Sequence, residues 1–136
     1  MTRRQPTSAD EIQRLLGLVD RDREQAELPG LHLDGRFSFL YNVALQLATI
    51  ALRLKGRRVG RLAHHKETFR AAADLVPDGF TSTIAAFDRA RRKRNALMYD
   101  QAGVITQADV IGLQESIEPL EAWVRQEVVA FLSSAE

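Results

Sequence analysis

A run of four cations followed by a short polar pattern occupies residues 91–100, which read Arg-Arg-Lys-Arg-Asn-Ala-Leu-Met-Tyr-Asp. On a solvated helix, Lys and Arg usually alternate with carboxylates four residues away, because opposite charges at that spacing are mildly stabilising and like charges are not. The nearest preceding acid is Asp88. The run therefore predicts an anionic partner such as a phosphate. The alternative is a basic helix end that interacts with the negative end of the helix dipole.

Arg94, Asn95 and Tyr99 are the residues in this segment that could act directly on a phosphate. A guanidinium can neutralise phosphate oxygens, and the amide and the phenol can donate hydrogen bonds to them. On an ideal helix, Arg94 and Tyr99 lie about 140° and roughly 7.5 Å of rise apart, so one helix does not point both at one atom. A helix that unwinds after Met98, or a two-fold dimer that joins two copies of the segment, would bring them together.

Positive charge is concentrated in the middle of a chain whose net charge is only +1. Residues 53–94 contain twelve Lys or Arg and four acids, whereas the remainder contains seven basic and fourteen acidic residues. This asymmetry predicts a dipolar surface that attracts phosphates on one side or pairs with an acidic partner. The predicted nucleic-acid contacts are Arg91, Arg92 and Lys93, together with Arg57, Arg58 and Arg61.

Metal and cofactor chemistry are poorly supported by the residue types. The 136 residues include no cysteine, so thiolate metal sites and cysteine nucleophiles are excluded. His64 and His65 are adjacent and therefore about 100° apart on a helix, which does not suit joint coordination. The glycine loop at residues 56–60 lacks the Gly-Lys-Ser/Thr ending of a P-loop. We expect no metal and no cofactor.

The apolar periodicity predicts a single all-α domain over residues 1–136, built as a bundle of four to five helices, with residues 1–7 as a flexible start. Capping boxes are expected at Ser8–Glu11 and at Thr106–Asp109. Pro119 predicts a kink near Ser116. The predicted helices cover about residues 8–28, 36–55, 62–76, 82–99 and 106–132.

Targeting signals are not indicated by the sequence. The first residues carry charge without a following apolar stretch typical of a signal peptide. The longest apolar run, residues 43–52, is shorter than the roughly 20 residues that span a bilayer. We therefore expect a cytoplasmic protein with no membrane association.

The segment from Arg94 to Tyr99 resembles the Arg-x(4–6)-His motif of HEPN domains (higher eukaryotes and prokaryotes nucleotide-binding), in which a polar residue such as Asn commonly follows the arginine. The order of other features is also similar to that of bacterial members. An apolar helix with Tyr41-Asn42-Val43-Ala44 precedes a basic glycine loop, a helix start at His64-His65-Lys66, and the helix with the motif. The resemblance covers roughly residues 35–132.

This resemblance implies a HEPN-like helical bundle that forms a homodimer, with the motifs of both protomers lining one cleft. Many members are metal-independent endoribonucleases, and several are toxins paired with a nucleotidyltransferase-type antitoxin. Others have lost catalysis and bind RNA, nucleotides or proteins. By position, Arg94 would contact the scissile phosphate and Asn95 would orient it.

Tyr99 stands where the active motif has histidine. Tyrosine, with a reference pKa near 10, is a poor base at neutral pH, and loss of acid–base help typically lowers a rate by about 10²–10⁴. We therefore expect RNA or nucleotide binding with weak or lost nuclease activity. One alternative is an active metal-independent endoribonuclease toxin, with Tyr99, His64 or His65 completing the site. Another is a helical scaffold that docks an acidic protein.

Overall fold

A computed structural model of the chain describes residues 2–4, 6–59, 65–99 and 104–134, with the backbone alone at 2–4, 98 and 99. The fold of the described residues is all-α. In the described part of the chain, five α-helices and one short 3₁₀ turn form the bundle that the sequence predicts. The elements are β1 (Thr2–Arg4), α1 (Ala9–Ala26), α2 (Leu33–Leu54), β2 (Arg57–Val59), α3 (His65–Ala73), the 3₁₀ turn Asp78–Phe80, α4 (Thr81–Tyr99) and α5 (Gln107–Ser134).

α2 is the central helix and packs against each of the other four helices. Its apolar side chains cover most of its circumference, so it is buried on several sides. By length and composition α2 could also cross a membrane, with a mean hydropathy of 1.4, which the short apolar run in the sequence did not suggest. Ten of its residues, including Tyr41 and Leu47, are buried within the bundle, as in the core helix of a soluble domain.

The first predicted capping box is formed only in part. The backbone N–H of Glu11 donates to the Ser8 hydroxyl at 3.2 Å, as the spacing predicts. The Glu11 carboxylate instead accepts hydrogen bonds from Thr7 at 2.6 Å and from Arg58 on β2 at 2.6 Å. A charge-assisted bond to a guanidinium is stronger than a bond to a neutral backbone donor, which explains the exchange. Glu11 therefore ties α1 to β2.

β1 and β2 pair as a two-stranded antiparallel sheet, with Arg3 opposite Arg58. The sequence did not indicate either strand. Each has only three residues, which is too short for the alternation of apolar and polar side chains that predicts a strand. β1 lies within residues 1–7, the segment expected to be flexible.

Three aromatic rings connect α2, α3 and α4. Phe69 on α3 lies 6.0 Å, centroid to centroid, from Tyr41 on α2 and 6.0 Å from Phe87 on α4. Tilted and edge-on contacts at this distance are the favourable geometries for aromatic pairs. All three rings are buried, so the helix that contains the cationic run is fixed against the core one turn before that run begins.

α5 begins at the second predicted capping box, which is complete. The Thr106 hydroxyl accepts from the Asp109 N–H at 3.1 Å, and the Asp109 carboxylate accepts from the Thr106 N–H at 2.9 Å. The helix then continues through Pro119 to Ser134. Trp123 on α5 contacts Phe80, with ring centroids 5.8 Å apart.

Two nearly buried carboxylates join α1 to its neighbours. Asp22 accepts a hydrogen bond from Gln46 on α2 at 2.8 Å. Glu121 on α5 pairs with Arg23 on α1 at 2.8 Å and with Arg125 at 3.0 Å. Because buried charges require partners, these contacts fix the rotation of α1 against α2 and α5.

Candidate functional site

The cationic run lies in the second half of α4, where the helical period distributes its side chains around the axis. Arg91 Nε donates to Asp88 Oδ1 at 2.9 Å, and Lys93 Nζ donates to Asp109 Oδ1 at 3.0 Å. Asp88 lies close to the cationic run in the sequence, whereas Asp109 reaches Lys93 from the first turn of α5, a contact that the sequence does not reveal. Two of the four cations are therefore paired with carboxylates within the chain.

Arg94 lies over a buried aromatic ring. Its Cζ atom is 5.2 Å from the centroid of Tyr41, within the range of a cation–π contact. The hydroxyl of Tyr41 makes a hydrogen bond of 2.8 Å with Nδ1 of His65, the first residue of α3. Arg94 and His65 therefore contact the same tyrosine, one at the ring face and the other at the hydroxyl. We call Tyr41, His65 and Arg94 the Tyr41 cluster.

Burial raises the pKa of Tyr41 to about 12, although the positive charges of Arg94 and Arg91 oppose this shift. The phenol therefore stays protonated at neutral pH and acts as a hydrogen-bonding group and a ring platform rather than as a base. The hydrogen bond from Arg91 is the main cause that holds the pKa of Asp88 below its usual value, with smaller contributions from Arg92 and Lys66. Asp88 is therefore ionised at neutral pH.

Three exposed cations surround Asp88 and Arg91. Lys66 and Arg70 lie on α3, and Arg92 lies on α4. Within the described residues, none of these three forms an ion pair with a carboxylate. Lys66 and Arg92 both act on the charge of Asp88, so the two helices contribute to one positive surface. We call Lys66, Arg70 and Arg92 the α3–α4 cationic face.

The other predicted site residues do not all join this cluster. Asn95 is half-buried on α4, and its amide makes no hydrogen bond with another described residue. Arg58 is held by Glu11 on α1, and the carbonyl of Arg57 accepts from Arg53 at 3.2 Å. His64 and Arg61 lie outside the described residues. So does the side chain of Tyr99, whose backbone ends α4.

Tyr41 is a buried core residue, as its position on the apolar central helix predicts. Its hydrogen bond to His65 and the position of Arg94 over its ring were not predicted from the sequence. The sequence contained one usable signal, because Tyr41 is the only hydroxyl-bearing aromatic residue on the apolar central helix. Such a hydroxyl must find a polar group when it is buried.

The arrangement can bind an anion and can present an imidazole beside it. Among the described residues, no group of three or more His, Asp or Glu side chains could hold a metal ion. No protein-family model, no curated protein and no solved structure matches the chain. Function is therefore inferred from the geometry of the Tyr41 cluster and of the α3–α4 cationic face.

Proposed function

We propose that this chain is a HEPN-like domain that binds RNA or a nucleotide phosphate through α4 and the start of α3. The observation that supports the proposal is the α3–α4 cationic face, whose three cations are exposed and unpaired in the described part of the chain. A Lys or Arg that has no carboxylate partner can neutralise a phosphate without first breaking an internal ion pair. The face lies on helices that the aromatic contacts of Phe69 fix to the core.

The cations that are already paired within the chain would support RNA binding indirectly, by holding neighbouring groups in place. Arg91 fixes Asp88, and Lys93 ties the end of α4 to the start of α5. Arg94 is anchored over Tyr41, so its guanidinium loses less rotational freedom when it meets an anion than a free side chain would. Binding is therefore expected to use the exposed cations first, with Arg94 as the most rigid contact.

The test is a fluorescence anisotropy titration with a labelled single-stranded oligoribonucleotide of about 10 residues. The variant Lys66→Gln/Arg92→Gln removes two charges from the α3–α4 cationic face. We expect it to weaken binding by roughly tenfold at low salt, because two phosphate contacts are lost.

The matched control is Arg14→Gln/Lys55→Gln, which removes the same two residue types from exposed positions on α1 and at the end of α2. Its affinity should stay within about twofold of the parent protein. An equal loss of RNA affinity in both variants would mean that binding depends only on the net charge of the protein. Tighter binding of an acidic peptide than of RNA would favour the helical scaffold instead.

A metal-independent endoribonuclease is the second candidate, and the position of His65 favours it. An imidazole can accept and donate a proton near neutral pH, which the phenol of Tyr41 cannot do. His65 and Arg94 contact the same ring, so a phosphate beside Arg94 would lie near an imidazole held by a hydrogen bond. This arrangement would supply the acid–base group that the motif lacks at Tyr99.

Incubation of the purified protein with RNA in EDTA separates the two candidates. If Arg94→Ala and His65→Asn each abolish cleavage and Tyr99→Phe leaves it unchanged, His65 is the acid–base group. Binding without cleavage would support the binding function. For both candidates we also propose that the protein is a cytoplasmic homodimer. Its mass in light scattering should then be twice the 15.3 kDa of one chain. If the protein is a toxin, we propose a nucleotidyltransferase-type antitoxin as its partner.

A further inference from the structure

A groove of about 260 Å³ runs between α3 and the first half of α4. Its floor is apolar and consists of Phe69 and Ile84, both of which are buried. Ala73 on α3 and Ala85 on α4 form the sides, so no large side chain fills the space between the helices. The accessible apolar surface of the groove is therefore that of Ala73 and Ala85, above the buried Phe69 and Ile84. The groove lies beside the Tyr41 cluster, since Phe69 is also the edge-on neighbour of Tyr41.

The rim of the groove is charged. Lys66 and Arg70, one turn apart on α3, line it, and both are exposed. Asp88 lines it from α4, with one carboxylate oxygen bound to Arg91 at 2.9 Å. Among the described residues, no hydrogen bond reaches the other oxygen, Oδ2. The rim thus combines two free cations with one free acceptor.

We propose that this groove holds an unpaired base of single-stranded RNA, with Lys66 and Arg70 on the phosphates next to that base. The inference rests on the proposed RNA-binding function and deepens it, because it names the form of RNA that the protein prefers. An apolar floor bordered by cations suits a nucleotide, whose base has an apolar face and whose backbone is anionic.

Two features of the groove select against duplex RNA. A base must leave its stack to lie in the groove between Ala73 and Ala85, and a duplex resists unstacking by a few kcal/mol per step. The free oxygen of Asp88 can accept a hydrogen bond from an N–H group. Each of the four bases has such a donor on its Watson–Crick edge, and pairing consumes it.

The size of the groove limits what it can hold. Pockets for whole small-molecule ligands usually measure about 300–1,000 Å³, so this space is small for a complete dinucleotide or a bulky cofactor. One base with its sugar outside the groove is a better match. The remaining nucleotides would then follow the α3–α4 cationic face towards Arg92.

The experiment compares the affinity of the full chain for one labelled oligoribonucleotide, alone and annealed to its complement, at the same salt concentration. We expect the single strand to bind at least roughly tenfold more tightly. The variant Ala85→Leu fills the groove without a change in charge. It should lower the single-strand affinity by about 5- to 10-fold and leave the duplex affinity unchanged.

The control is Ala122→Leu, which adds the same side chain at an exposed position of α5, a helix that does not line this groove. Its single-strand affinity should equal that of the parent protein. Circular dichroism of both variants checks that they fold. The comparison of single strand with duplex in the parent protein needs no variant, so equal affinity for the two forms would overturn the groove even if Ala85→Leu is unstable.

Three outcomes are distinct. Preference for the single strand with loss in Ala85→Leu supports the groove. Equal affinity for single strand and duplex, with binding still lost in Lys66→Gln/Arg92→Gln, overturns the groove while the RNA-binding function stands. Absence of any RNA binding overturns both.

Discussion

Tyr41 is the residue on which the candidate site depends. Its ring supports Arg94 at 5.2 Å, and its hydroxyl positions His65 at 2.8 Å. Sequence alone identified it as a core residue, because it lies on the apolar central helix. The partners could not be predicted, since they come from α3 and α4 and meet Tyr41 only through the angles at which these helices pack.

The variant Tyr41→Phe should be less stable than the parent protein by about 1 kcal/mol, because it removes the hydrogen bond to His65 and leaves Nδ1 without that partner. The measurement is urea unfolding at neutral pH. RNA affinity should change little, because phenylalanine retains a ring beneath Arg94. Tyr41→Leu removes the ring as well, so it should lower both stability and RNA affinity. Equal RNA affinity in the two variants would contradict the role assigned to the ring.

The phenol of Tyr41 should ionise near pH 12 in the folded protein, because burial raises its pKa. The unfolded chain releases this proton near pH 10, so the folded state binds more protons between these values. The contribution of Tyr41 to stability is therefore constant below pH 10 and becomes less favourable as the pH rises above it. A near-ultraviolet absorbance titration of Tyr99→Phe, in which Tyr41 is the only tyrosine, measures this ionisation directly. A midpoint near pH 10 before unfolding would contradict the burial.

The positions at which the helices begin and end were predicted well from the sequence. The described ends of the five helices lie within about three residues of the predicted positions. Apolar spacing and the residues at Ser8 and Thr106 determine these boundaries locally, so no tertiary contact is needed to place them. The pairing of β1 with β2 and the burial of Glu121 depend on contacts between distant segments. Neither leaves a periodic pattern in the sequence.

The N-terminal cap of α5 should contribute measurably to stability. Asp109→Ala removes the bond from the Thr106 N–H and the ion pair with Lys93, so the free energy of unfolding should fall by about 1 kcal/mol at neutral pH. The hydrogen bond from the Thr106 backbone is the main cause that lowers the pKa of Asp109, and Lys93 adds to it. Its stabilising effect is therefore present above about pH 4 and is lost as the pH falls through the lower, folded-state value.

Urea unfolding at neutral and at acidic pH measures this difference between the parent protein and Asp109→Ala. The difference should shrink at the acidic pH, where the carboxylate is protonated in both folded and unfolded chains. The control is Asp10→Ala in the first turn of α1. Asp10 makes no hydrogen bond with another described residue, so its removal should cost only the few tenths of a kcal/mol due to the helix dipole. Equal losses in the two variants would show that the cap at α5 adds nothing.

Ion pairs within the molecule change which cations of the basic middle segment are available to a partner. Ion pairs join Arg58 to Glu11, Arg91 to Asp88, and Lys93 to Asp109. A count of residues along the chain cannot show this, because the carboxylates come from three different elements. Of the twelve candidate cations, Lys66, Arg70 and Arg92 form an exposed group on α3 and α4 that has no carboxylate partner among the described residues. This group is a more specific prediction than the cationic run alone.

The most direct test of RNA binding through the α3–α4 cationic face is the salt dependence of RNA affinity in the parent protein. Each phosphate neutralised on a single strand contributes a slope of about −0.7 to the plot of log K against log salt concentration. Contacts from Lys66, Arg70 and Arg92 therefore predict a slope of about −2. The slope should move towards zero by about 1.4 in Lys66→Gln/Arg92→Gln. A slope near zero in the parent protein, or no measurable binding at low salt, would contradict RNA binding through the α3–α4 cationic face.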